Sequence, residues 1–205
     1  MYAGTLLDIA MVHSDSLIEQ ARNGDDKAVS KLVSLWHKRI YNFCYKYFSD
    51  HDKAMDMAQR TFISMYNSIG KLKDIKSFKS WLYRIALNHC HEEDRREKRH
   101  MVVSYRNDEE SEEVVVNIRD AEPDPQKKLQ IAELNEILMA ALMEIPGEQR
   151  EVLIMKEYEG LKFREIAEVL DISENTAKSR LYYGLSAVKK ILKQRNINKT
   201  AYYEG

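Results

Sequence analysis

The stretch EIAEVLDISENTAKSRL, residues 165–181, reads as two short helices hinged at Asp171-Ile172-Ser173. Projected at about 100° per residue, the second helix and its continuation place Asn175, Thr176, Ser179, Tyr182 and Tyr183 on one side, with Lys178 on one flank and Arg180 on the other. Hydroxyls, an amide and phenols supply donors and acceptors suited to base edges, while Lys and Arg suit phosphates. In a helix-turn-helix the first helix packs across the second, and the second lies in the major groove. Ile166, Ala167 and Leu170 are expected to face inward and Ile172 to plug the turn, with Ser173 as N-cap and Thr176 at N3. Leu181, Leu185, Val188 and Leu192 share the opposite face. A solvated face on a helical hairpin is the simpler reading of such a pair. The joint spacing of Ala167, Ile172, Ser173, Thr176 and Leu181 favours the DNA-reading one.

A second set lies earlier. Arg84 is followed by Asn88, His91 and Arg95 at +4, +7 and +11, forming one polar-basic stripe on a helix. Beside it the loop KLKDIKS carries Lys71, Lys73 and Lys76, with Lys79 just beyond. Phe78 and Trp81 fall by helical angle on the buried face and are assigned to the core rather than to stacking. His89-Cys90-His91, with Cys44, raises a metal site; consecutive helical residues point about 100° apart, so no metal is expected there. Glu92 and Glu93 read as solvent-facing, no nucleophile–base constellation is present, and no glycine-rich phosphate loop occurs. Neither catalysis nor a cofactor is expected.

The elements that must position these groups are helices. The 205 residues include only 7 Gly and 3 Pro, and the best β-branched run, Val114–Val116, sits among acids. Apolar residues at Val29, Leu32, Trp36, Ile40, Phe43 and Tyr47 predict a helix over 26–48. Met55, Ala58, Phe62, Met65 and Ile69 predict a second over 53–69, ended by Gly70. Phe78, Trp81, Leu82, Ile85 and Ala86 predict a third from 78 to 99. Residues 106–126 are acidic and aperiodic and contain two of the three prolines, so they read as a flexible linker. Four further helices are predicted over 127–144, 148–158, 162–170 and 174–193. The fold class is therefore all-α: an N-terminal extension (1–14), a helical domain (15–105), the linker (106–126), a second helical domain (127–195) and a tail (196–205).

Charge follows the same divisions. Residues 15–100 hold 17 Lys and Arg against 12 Asp and Glu, 101–127 hold 3 against 8, and 162–200 hold 9 against 4. Two basic blocks around an acidic one fit a nucleic-acid protein better than the net charge of −1 does. Two cysteines without a paired motif, no basic signal region at the start and no apolar run of membrane length predict a cytoplasmic protein without membrane insertion.

IPGEQREVLIMKEYEGLKFREIAEVLDISENTAKSRLYYGLSAVKKIL resembles region 4 of bacterial sigma-70 family sigma factors. SDHDKAMDMAQRTFISMYNSI (49–69) and FKSWLYRIALNHCHEEDRREKR (78–99) resemble their region 2. Two such regions with none between resemble the extracytoplasmic-function (ECF) subfamily. The resemblance implies a sigma factor that binds core RNA polymerase, at its β′ clamp helices and β flap, selects promoter DNA and is held by an anti-sigma factor. It implies −35 contacts by Thr176, Lys178, Ser179, Arg180, Tyr182 and Tyr183, with Arg180 on the backbone. It implies capture of the unwound −10 strand by Lys76, Lys79, Arg84, Asn88, His91 and Arg95, since a cationic groove with a loop pocket suits a strand with an extruded base. It implies polymerase binding through Asp56, Gln59 and Arg60. Here Asp171 stands where Gly is frequent, Arg60 where acids are common, and Tyr183-Gly184 replaces a basic-Ala pair. The competing reading is a helix-turn-helix regulator acting without polymerase, which leaves the first domain without a purpose.

Overall fold

The computed structural model describes residues 14–103 and 125–195. In order these form α1 (Ser14–Arg22), α2 (Asp26–Phe48), α3 (His51–Ser68), α4 (Phe78–Val103), α5 (Pro125–Glu144), α6 (Gly147–Leu153), α7 (Phe163–Leu170) and α8 (Glu174–Gln194), with no strand among the described residues. The all-α expectation holds in both halves. Most of the acidic segment, with residues 1–13 and 196–205, lies outside the described residues; its last two, Pro125 and Gln126, open α5 instead. Proline suits a first helical turn because the amide it lacks has no partner there.

Short polar side chains set the helix ends. Asp25 accepts from the amides of Lys27 and Ala28 at 2.8 and 3.3 Å, and Asp50 from that of Lys53 at 3.0 Å. Between α2 and α3, Ser49 takes the left-handed conformation (φ 55°) and its amide donates to the Tyr45 carbonyl. Helix α1 was not expected: Leu17, Ile18 and Ala21 give too short an apolar pattern to reveal a period, yet Ile18 and Ala21 are buried against α2.

Leu32, Trp36, Ile40 and Phe43 from α2 meet Met57, Phe62 and Met65 from α3 and Phe78, Leu82, Tyr83 and Ala86 from α4. Trp36–Phe78 and Phe43–Tyr83 pack edge-to-face at 5.6 and 5.3 Å. Each such residue contributes about 1.5–3 kcal/mol when fully buried, so apolar phase decides which way a helix faces. That phase corrects one expectation: Met55 is 54% exposed, and Met57, two positions on, is the buried one. Thr61 is buried beside it because its hydroxyl donates to the Met57 carbonyl at 2.7 Å.

In the second half, Leu142 and Ile145 of α5, Val152 and Leu153 of α6, Ile166 and Val169 of α7 and Ala177 and Leu181 of α8 form the core. After Leu153 the chain winds one π turn, Ile154–Tyr158, in which the Glu159 amide bonds the Ile154 carbonyl at 3.2 Å. Leu185 is exposed, contrary to expectation, because α8 buries Ala177, Leu181 and Gly184 as it crosses α6. A Cβ on Gly184 would meet Gln149 Cβ at 3.3 Å, so this crossing needs a glycine. The two halves pack on each other along α4, α7 and the π turn.

Candidate nucleic-acid interface

The hinge of the helix-turn-helix is built as its sequence requires. Asp171 adopts φ 54°, ψ 48°, the left-handed conformation that Asp tolerates better than most residues, and its amide closes on the Ala167 carbonyl. The Ile172 amide also reaches that carbonyl, at 3.1 Å. Ser173 then caps α8: its hydroxyl accepts from the Thr176 amide at 3.0 Å and pairs with the Thr176 hydroxyl at 2.8 Å. Before α7, the Lys162 amide donates to the Glu165 carboxylate at 2.6 Å.

This frame leaves one face of α8 clear. Asn175, Thr176, Lys178 and Ser179 are exposed, Tyr182 is 73% and Tyr183 62% exposed, and the two rings meet edge-to-face at 6.2 Å. The Lys178 ammonium lies 5.7 Å from the Phe163 ring centre. Arg180 differs from its neighbours. It is half-buried, and its guanidinium pairs with Glu148 of α6 at 2.6 Å.

On α3, Gln59 is exposed, while the Asp56 carboxylate receives two contacts from Arg60, at 3.2 Å from Nε and 2.8 Å from Nη2. Arg60 also lies 3.8 Å from Glu93. The expectation that Glu93 faces solvent is corrected: it is buried between Arg60 and Arg96, the latter at 3.2 Å.

The stripe on α4 divides. Asn88 and Arg95 are exposed, Arg95 donating back to the His91 carbonyl at 3.2 Å. Lys71, Lys73 and Lys76 are exposed in a loop shaped by Asp74, which accepts from the Lys76 amide at 2.9 Å. The remaining members face the second half of the chain. Arg84 donates to the Glu168 carbonyl, His91 pairs with the Glu151 carboxylate at 2.7 Å, and Lys79 reaches the Glu159 carbonyl at 3.3 Å. Ser80 donates to the Glu168 carboxylate at 3.1 Å and the Tyr83 hydroxyl to that of Glu159. The bond to Glu151, more than the opposing burial, raises the His91 imidazolium above the ordinary histidine range. Burial pushes the Lys79 ammonium down.

Tyr83 and the three glutamates were absent from the expected site. Their signal was faint: Glu151 opens the apolar run Glu151–Met155, an odd place for an acid. Trp81, expected in the core, is half-buried and with Ser77, Ser80, Arg84 and Glu168 lines a cavity of about 230 Å³ at this seam. The His-Cys-His triplet diverges. His89 bonds Ser64 at 2.8 Å, Cys90 faces Cys44 with sulfurs 4.0 Å apart, and His91 meets Glu151.

Comparison with known proteins respects these boundaries. Residues 32–100 match Sigma-70 region 2, and residues 135–188 match Sigma-70, region 4. The RNA polymerase sigma-H factor of Pseudomonas aeruginosa is 28% identical over 187 residues, covering 86% of this chain and 92% of that protein. The ECF RNA polymerase sigma factor SigW of Bacillus subtilis is 29% identical over 181 residues, covering 86% and 95%. Among solved structures, the fold is similar to the sigma factor RpoE in complex with the anti-sigma factor NepR from Bartonella quintana, with a TM-score of 0.65 at 22% identity over 80% of this chain and 96% of that one. It is also similar to CnrH in complex with the cytosolic domain of CnrY, with a TM-score of 0.63 at 19% identity over 88% and 97%.

Proposed function

We propose, from the premise that this chain belongs to the sigma-70 family and is an ECF RNA polymerase sigma factor, a division of labour between its two halves. The exposed face of α8 reads the −35 element as duplex: Thr176, Ser179, Tyr182 and Tyr183 meet base edges, while Lys178 holds phosphate. Arg180, paired with Glu148, sets the angle of α8 and offers its remaining donors to the backbone. The α4 stripe, with Lys76 and Lys79, captures the unwound −10 strand. Asp56, Gln59 and Arg60 on α3 meet core polymerase at its β′ clamp helices, and the second half meets the β flap.

The observation that carries this reading is the pair Tyr182 and Tyr183. Two large aromatic rings stand in solvent on a capped helix whose other face is buried, and base edges are surfaces that such rings and hydroxyls fit. A regulator acting without polymerase would use the same helix but gives α3 and α4 no task. No membrane-spanning helix occurs among the described residues. The chain acts in the cytoplasm as an initiation factor and not as an enzyme. An anti-sigma factor restrains it, as the two similar structures contain such a partner or a cytosolic domain bound to the sigma-like chain.

Purified chain added to core polymerase should direct transcription from a defined set of start sites on genomic templates. Core polymerase that starts no differently with and without the chain overturns the reading.

A further inference from the structure

We propose that the seam between the two halves is a self-masking contact, in which Glu151, Glu159 and Glu168 occupy part of the α4 stripe as an anionic strand would. The proposal rests on the −10 role given to that stripe above. Its ground is the placement of the donors. Lys79, Ser80, Tyr83, Arg84 and His91 lie along one side of α4 over about 18 Å, at 1.5 Å rise per residue. Every one of them is bonded to an oxygen of those three glutamates. Two of the oxygens are backbone carbonyls, of Glu159 and Glu168; the others are carboxylates. A single strand offers that same alternation of charged and neutral acceptors, phosphate and base.

The masking is partial. Asn88 and Arg95 stay exposed, as do Lys71, Lys73 and Lys76 beside them. A strand landing on this open edge competes for Arg84 and His91 next, and the carboxylates are displaced as it advances. The seam suits displacement because its polar bonds are replaceable one for one by the incoming oxygens. Strand capture and separation of the halves are then one reciprocal equilibrium.

Fluorescence transfer between dyes at Lys31→Cys and Lys189→Cys in the full chain tests this. Both positions are exposed, and the native Cys44 and Cys90 are fully buried, so the dyes stay where they are placed. The free chain should show high transfer, and single-stranded oligothymidylate should lower it, with a midpoint that rises with salt. Glu168→Ala and His91→Ala remove the seam from opposite sides at partly exposed positions. Each should lower transfer without DNA while the far-UV spectrum stays helical. Because apparent affinity scales with the open fraction, Glu168→Ala should need about tenfold less oligothymidylate if the closed form prevails by about ten to one. Glu19→Ala, the same charge change away from the seam, should stay within about twofold of the parent. Low transfer in the free chain, or transfer unchanged in both variants, overturns the latch while leaving the sigma reading intact. Variants that open without any gain in oligothymidylate binding overturn the masking through the stripe itself, and with it the −10 assignment.

Discussion

Ser179, Tyr182 and Arg180 sit within one turn of α8 and differ in what their loss should do. Truncating Ser179 or Tyr182 to Ala should reduce binding by about 1–3 kcal/mol at particular −35 base pairs and relax preference there. Arg180→Ala should weaken binding to all −35 variants alike and flatten the salt slope by about one unit. A panel of −35 variants at several salt concentrations separates the two classes, and equal losses at every base pair for Tyr182→Ala would remove it from base readout. His91 gives a second prediction at this scale. Glu151 from α6 faces it, the Tyr47 ring of α2 lies 6.2 Å away, and on its own helix Asp94 supports the charge while Arg95 opposes it. Arg150, the other cation nearby, lies over Tyr47. Since closure raises the histidine, the closed form gains most below the ordinary value near 6.5 and loses that gain as pH rises through the raised one. Transfer between the dyes should therefore fall as pH rises across that window, and the fall should vanish in Glu151→Gln.

Among the elements, α2 shows how far periodicity reaches: its predicted span 26–48 is the observed one, because six apolar positions and an Asp25 cap agree. The turn before α8 was legible for the same kind of reason, since Asp171 and Ser173 each have a local task. Met55, Trp81 and Leu185 were misplaced because apolar type alone cannot fix phase within about 100°, and neighbours in other helices decide it. Asp171 allows a direct check. Asp171→Ala should cost about 1 kcal/mol, as Ala resists the left-handed conformation, whereas Asp171→Gly should be neutral or better. Ser173→Ala should cost about 1 kcal/mol through the lost cap. Thermal melts of the full chain read both, and Asp171→Ala proving as stable as Asp171→Gly would contradict the hinge argument.

For the whole molecule, what the sequence hid was the seam. Its bonds join residues 60 to 88 positions apart, and no pattern within one helix encodes such a partner. The basic stripe was readable on α4; that glutamates from the other half would cover it was not. The polymerase-facing side belongs to this scale as well. Asp56→Lys should weaken capture by core polymerase in a pull-down while leaving α3 folded, since Asp56 bonds only Arg60 at the surface. Undiminished capture would take Asp56 out of that interface.

The π turn at Ile154–Tyr158 bears on how this chain should be aligned with its relatives. A turn that closes five residues on rather than four absorbs one residue without rotating the helices beyond it. Loss of a residue inside it should therefore leave Leu161, α7 and α8 in place, whereas the same loss within α8 would swing every later side chain by about 100°. A one-residue gap against shorter relatives belongs within 154–158. A chain lacking that residue should keep its DNA-reading helix and lose the reach of Tyr158 and Glu159 toward Lys46 and Tyr83.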